Sequence, residues 1–336
     1  METKLKREEL DRLTEHYSLS AERVEMMFQL ADARPSRTQE LHFIARCLQY
    51  AGVLSLAAGI VFFIAANWSR IAVFGRFALL QILLLAFVAI GLWKPAPRII
   101  GRAALFLAFV VTGALLALFG QTYQTGADVY ELFLTWALLG LPLVIAAQWG
   151  VSSAAWVLAF NIALLLFCGW QPRGGILWTI FDGRRFDATH AILAAAVINV
   201  ALWIAAEHWR LPAVPDWVRR LILFFAFIFI TWAGLIGVSG GSVSFGRTQH
   251  EVLALLGAIV ATAVVIAYSV RLRRDVYPLA LALGSAILVV FCWIPNAFDI
   301  DEIPMFFLMA LWLCGASAVG GRALMMLMRD WRAVPA

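Results

Sequence analysis

RRLILFFAFIFITWAGLIGV, residues 219–238, has no charge after its first two positions and no alternation of polar with apolar side chains. At 1.5 Å per residue it reaches about 30 Å, the hydrocarbon thickness of a bilayer. Lipid offers no water to unpaired backbone groups, so only helices or a closed barrel can cross it. A continuous apolar run without a period of two reads as a helix. Nine further runs of this kind occupy 43–66, 73–93, 101–119, 131–147, 151–170, 188–206, 251–270, 277–295 and 304–328. The sequence therefore predicts an all-α, polytopic transmembrane bundle of about ten spans, and tight hairpin geometry where Gln148-Trp149-Gly150 alone joins two of them.

Composition agrees. Of 336 residues, 63% are hydrophobic and 14% charged, whereas soluble domains carry about a quarter charged residues. A water-soluble surface could not cover that apolar excess. The net charge of +5 is dispersed beside the apolar runs, as anchors are, so no nucleic-acid partner is expected. Cys47, Cys168, Cys292 and Cys314 lie in or at the edge of apolar runs and form no CxxC pair, and they read as small hydrophobes. The first run begins near Phe43, behind a long charged segment, and is expected to stay as an uncleaved anchor.

The chain divides into a polar segment, 1–40, and the bundle, 41–336. Lys4 to His16 reads as one short helix. Ser18 or Ser20 can cap a second running to about Ala33, with Val24, Met27, Phe28 and Leu30 as its apolar stripe. The two would form a cytosolic helical hairpin. With the N-terminus inside, twenty Lys and Arg fall on the cytosolic side and six outside. The positive-inside bias thus places both termini in the cytosol. Trp68, Trp93, Trp149, Trp170, Trp209, Trp217 and Trp293 fall at run ends, where indoles favour the membrane interface. Gly113 with Ala117, Gly257 with Ala261, Ala280 with Gly284 and Ser317 with Gly321 give small residues at the spacing of close helix contacts.

No Asp, Glu or Lys lies in the middle of any run, which argues against a carboxylate-driven proton pump. Thr112, Asn161, Asn199 and Thr262 are the mid-span polar groups, and interhelical hydrogen bonding is their ordinary use. The densest polar stretch is Gly120-Gln121-Thr122-Tyr123-Gln124-Thr125-Gly126-Ala127-Asp128. Its bracketing glycines permit an unwound or re-entrant backbone, and the charge bias puts it outside. Asn67-Trp68-Ser69-Arg70 falls on the same side, with Arg76 just after. Asp128 and Glu131 are the natural partners of Arg70 and Arg76. The candidate ligand-binding site is therefore an outer polar pocket of Asn67, Trp68, Arg70, Gln121, Tyr123, Gln124, Asp128 and Glu131; the alternative is a pair of ordinary connecting loops. Outer His190, His250, Glu251, Asp299, Asp301 and Glu302 match no metal-ligand spacing, so no metal and no cofactor are expected. No nucleotide-binding, nucleophile-elbow or zincin motif is present, and no catalytic residues are assigned.

Ala65-Ala66-Asn67-Trp68, the 120–128 stretch and the following Leu132-Phe133-Leu134-Thr135-Trp136-Ala137-Leu138 resemble a bacterial family of predicted membrane proteins, domain of unknown function 2157. The polar N-terminal helices resemble its start, and the likeness covers roughly the first half. The resemblance implies a bacterial inner (cytoplasmic) membrane protein whose two outer loops belong together; it carries no activity. Two functions fit. One is a transporter of a small or lipid-like molecule, built as five-plus-five inverted halves, 43–170 and 188–328. The other is a non-transporting scaffold, sensor or envelope-assembly subunit. Membrane lipids, and in the second case another membrane protein subunit, are the expected partners.

Overall fold

The computed structural model describes residues 16–17, 20–30, 37–66, 71–123, 126, 128–169, 189–209, 214–239, 249–273, 275–298 and 302–333. All regular structure among them is helical. The helices are α1 (Ala21–Leu30), α2 (Arg37–Ala66), α3 (Val73–Trp93), α4 (Ile99–Tyr123), α5 (Val129–Ala147), α6 (Gly150–Phe167), α7 (Thr189–Trp209), α8 (Asp216–Ser239), α9 (Gln249–Tyr268), α10 (Val276–Ala297) and α11 (Glu302–Ala333). A π-helical turn, Ser269–Arg273, extends α9. Ten of these, α2 to α11, are long and apolar enough to cross a membrane. The expected spans are thus all present as helices.

Two compact units divide the chain at residue 72. In the first, α1 half-buries Val24 and Met27 while Glu22, Arg23 and Met26 stay exposed, as its apolar stripe requires. The backbone N–H of Val24 bonds the Ser20 carbonyl at 2.9 Å, which starts the helix after Ser20. The expected helix over residues 4–16 lies almost wholly outside the described residues. The α2 helix begins six residues before the apolar run, at Arg37. It leaves Phe43, Leu48, Leu54 and Phe62 more than half exposed, an apolar surface suited to lipid.

In the second unit α3, α4, α5 and α6 pack in chain order, each antiparallel to the last. Their interface is an interlock of aromatic rings and glycines. Trp136 of α5 lies over Gly113 of α4, and Phe109 of α4 lies over Gly140 of α5. The two rings stack at 5.0 Å and 25°. Trp136 Nε1 donates to the Phe109 carbonyl at 2.8 Å, and Trp156 Nε1 of α6 donates to the Ala137 carbonyl at 2.9 Å. Each indole thus satisfies its polar end inside an apolar interface. Gln148, with φ of 44°, reverses the chain between α5 and α6, as the tight hairpin requires. Trp149 there departs from the expected interface position. It is 6% exposed and stands edge-on to Phe106 at 5.8 Å, because the short turn presses it into the bundle.

The rest of the unit is organised around α8, whose Ala226, Phe229 and Ala233 are fully enclosed. It is the most enclosed of the ten candidate spans, with 72% of its apolar stretch buried. Its polar ties to α10 come at three levels: Tyr277 OH to the Arg220 carbonyl, Thr231 Oγ1 to Ser285 Oγ, and Asn296 Nδ2 to the Val238 carbonyl. These numbers rise together, so α8 and α10 are parallel. The pairs His190 with His250 and Trp203 with Tyr268 show that α7 and α9 are parallel too. Trp312 Nε1 ties α11 to α10 through the Ile287 carbonyl at 3.2 Å. Gly150 packs on Pro215 and Trp217, so α6 and α8 start at the same end. That end gathers Lys94, Arg98 and Arg102 with Arg219, Arg220 and Arg271, as the charge bias requires of one face.

Of the four small-residue pairs, Gly113 and Gly257 lie in close approaches, to Trp136 and Leu193, whereas Gly284 and Gly321 face open space.

Candidate functional site

Asn67, Trp68, Arg70 and Gln124 of the expected outer pocket lie outside the described residues. Gln121, Tyr123, Asp128 and Glu131 can be placed, and all four are exposed. The first part of the polar stretch is not unwound: Gly120 to Tyr123 form the last turn of α4. Phe119 and Tyr123, one turn apart, make a tilted ring contact at 4.8 Å that supports this turn against the cost of Gly120. The α4 helix ends at Tyr123, and Gly126 has a φ of 67°. Asp128 takes the extended N-cap position of α5, and its carbonyl receives the Glu131 N–H at 3.0 Å. Rings crowd this end of the unit: Phe77 beside Tyr123 at 6.2 Å, and Tyr130 edge-on to Phe167 at 5.2 Å. Tyr130 OH donates to Glu131 at 3.4 Å. The described half of the expected pocket is thus an aromatic rim with two solvated carboxylates.

A second polar site, which the sequence reading passed over, lies at the opposite end. The end of α7 and the starts of α8 and α10 bring five charges together. Arg219 of α8 donates from Nε to Glu207 of α7 at 3.0 Å, from Nη1 to the Val214 carbonyl at 2.7 Å, and from Nη2 to Asp216. Side chains of Arg219 and Glu207 are only 12% and 14% exposed, so this pair is largely desolvated. Asp275 caps α10 by accepting the Tyr277 N–H at 3.0 Å. Arg220 reaches Asp275 only at 4.0 Å and stays 56% exposed, its guanidinium 5.4 Å from the centre of the Tyr277 ring. Between these groups is a polar cavity of about 290 Å³, walled by Trp203, Glu207, Asp216, Arg220, Asp275 and Tyr277. The sequence signal was Glu207, a carboxylate closing an apolar run, with Asp216 and Asp275 placed on the same face by the topology.

Three of the four expected mid-span polar groups close onto their own helices. Thr112 Oγ1 bonds the Ala108 carbonyl, Asn161 Nδ2 that of Val157, and Asn199 Nδ2 that of Ala195. For these three the preceding turn takes the place of the expected interhelical partner. The Oδ1 atoms of Asn161 and Asn199 are buried without a partner. His190 and His250 face each other at 5.6 Å beside buried Glu251. Among the described residues no three His, Cys, Asp or Glu side chains are grouped to hold a metal ion.

No curated protein and no solved structure matches the chain. Residues 10–167, ending where α6 ends, are similar to the family described as Predicted membrane protein (DUF2157), whose model matches just under half of the chain.

Proposed function

We propose that the chain is a non-transporting subunit of the bacterial inner membrane, a scaffold, sensor or envelope-assembly component without enzymatic activity, with both termini in the cytosol. The carrying observation is that the mid-span Thr112, Asn161 and Asn199 each bond the carbonyl four residues back. Side chains used in this way do not line a polar route between helices. The aromatic packing around α8 supports the same reading, since Phe225, Phe229 and Trp232 are buried where an alternating-access pathway needs space. Exposed Gln121, Tyr123, Asp128 and Glu131 then belong to a contact surface at the outer face, for another membrane protein subunit.

The test is water access to α8. Ala226→Cys and Ala233→Cys, in a background without the native cysteines, are treated with a membrane-impermeant maleimide from each face. Neither should react. Labelling of either one from either face would sink the reading.

The second reading, a carrier of a lipid-like molecule, draws on an apolar groove of about 690 Å³ between α10 and α11, lined by Leu283, Trp293, Leu311 and Trp312 among others. A photoactivatable phospholipid that attaches to this groove and to no other exposed apolar face would favour it.

A further inference from the structure

The geometry points to the cavity between α7, α8 and α10 as a binding site for an organic ammonium ion, with Asp275 as its counter-charge and Arg220 as a resident cation that the ligand displaces.

Charge is the first argument. Among the described residues the cavity wall holds three carboxylates, Glu207, Asp216 and Asp275, against one guanidinium, Arg220. Arg219, just behind the wall, engages Glu207 and Asp216 together. Among the described side chains Asp275 then has Arg220 as its cation, at 4.0 Å, beyond hydrogen-bonding distance, beside the Tyr277 N–H that it accepts. A carboxylate so loosely matched favours a second cation.

Shape decides which cation. No three carboxylate or imidazole groups are close enough to hold a metal ion among the described residues, so a small inorganic ion is poorly served. A volume of about 290 Å³ sits at the lower edge of small-ligand pockets, about 300 Å³. Trp203 and Tyr277 add aromatic surface to the wall. Aromatic faces with a carboxylate are the means by which proteins hold alkylammonium groups. Arg220 already uses the Tyr277 ring in this way, at 5.4 Å. It is more than half exposed, so its long side chain can swing into water and free both the ring and Asp275.

The same ammonium chemistry could arrive on a soluble amine or on a phospholipid headgroup. The full chain in nanodiscs of phosphatidylglycerol is titrated with tetramethylammonium chloride at constant ionic strength, and binding is read by ligand-observed NMR. Saturable binding is expected. Asp275→Asn should weaken it about fivefold or more, the scale of one partly exposed charge pair. Asparagine caps a helix as well as aspartate, so the start of α10 is preserved. Arg220→Gln should tighten binding about threefold or more, because the competing cation is gone. Failure to saturate overturns the proposal, as does an Arg220→Gln variant that binds the same or worse. If Asp275→Asn does not fold, the sign of the Arg220→Gln change decides alone. Repeating the titration with phosphatidylethanolamine in the nanodisc separates the sources: weaker tetramethylammonium binding assigns the site to the headgroup, and unchanged binding assigns it to a soluble amine.

Discussion

Replacing Gly113 with alanine probes the α4–α5 interlock directly. A Cβ at this position would lie 2.5 Å from Cε2 and 2.7 Å from Cδ2 and Cζ2 of Trp136. Carbon atoms rest at about 3.5 Å or more, so the ring must retreat by roughly 1 Å. The indole also donates to the Phe109 carbonyl at 2.8 Å. A retreat of that size stretches the bond to about 3.8 Å and breaks it. Losing one interhelical hydrogen bond in a membrane costs about 0.6–1.7 kcal/mol, and overpacking adds about 1–3 kcal/mol. Alanine returns about 1 kcal/mol of helix propensity. The net expectation is destabilisation by about 1–3 kcal/mol. Reversible unfolding in mixed detergent–SDS micelles measures it. A double-mutant cycle with Trp136→Leu should recover most of the loss, since the small side chain makes room for the new methyl. A Gly113→Ala protein as stable as the parent, or more stable, would refute the reasoning.

Arg219→Gln should cost about 3 kcal/mol, because it strips the desolvated Glu207 of its guanidinium; adding Glu207→Gln should restore part of that, and an additive second loss would contradict the pairing. Asn199→Leu should leave stability unchanged or raise it by about 1 kcal/mol, since the buried Oδ1 has no partner to lose; in the same unfolding assay a loss of several kcal/mol would show that this oxygen serves something else. Cys168 is 1% exposed. At pH 8 a maleimide should leave Cys168 unmodified until SDS is added, a difference that mass spectrometry reads directly.

How far the site was legible depends on the kind of signal. Gly120 to Tyr123 suggested an unwound loop by composition, yet they are helical, supported by the tilted contact of Phe119 and Tyr123 one turn apart. Trp149 looked like an interface anchor because it ends an apolar run, but a reversal as short as Gln148 and its neighbours turns it inward. Glu207, Asp216 and Asp275 are unremarkable along the chain. Their meaning comes from α8 and α10 running parallel from one end, with α7 ending there.

The sequence by itself determined that this chain crosses a membrane about ten times, because backbone groups in lipid must pair within a helix and a run of about twenty apolar residues is what that requires. It also determined where nearly every helix starts and stops, because charges and turn residues resist burial. Tertiary structure alone decided which helix is the centre, which indole meets which carbonyl, and which charges close one cavity. Lipid solvates all ten helices alike, so hydropathy does not rank their partners; close packing and hydrogen-bond geometry do.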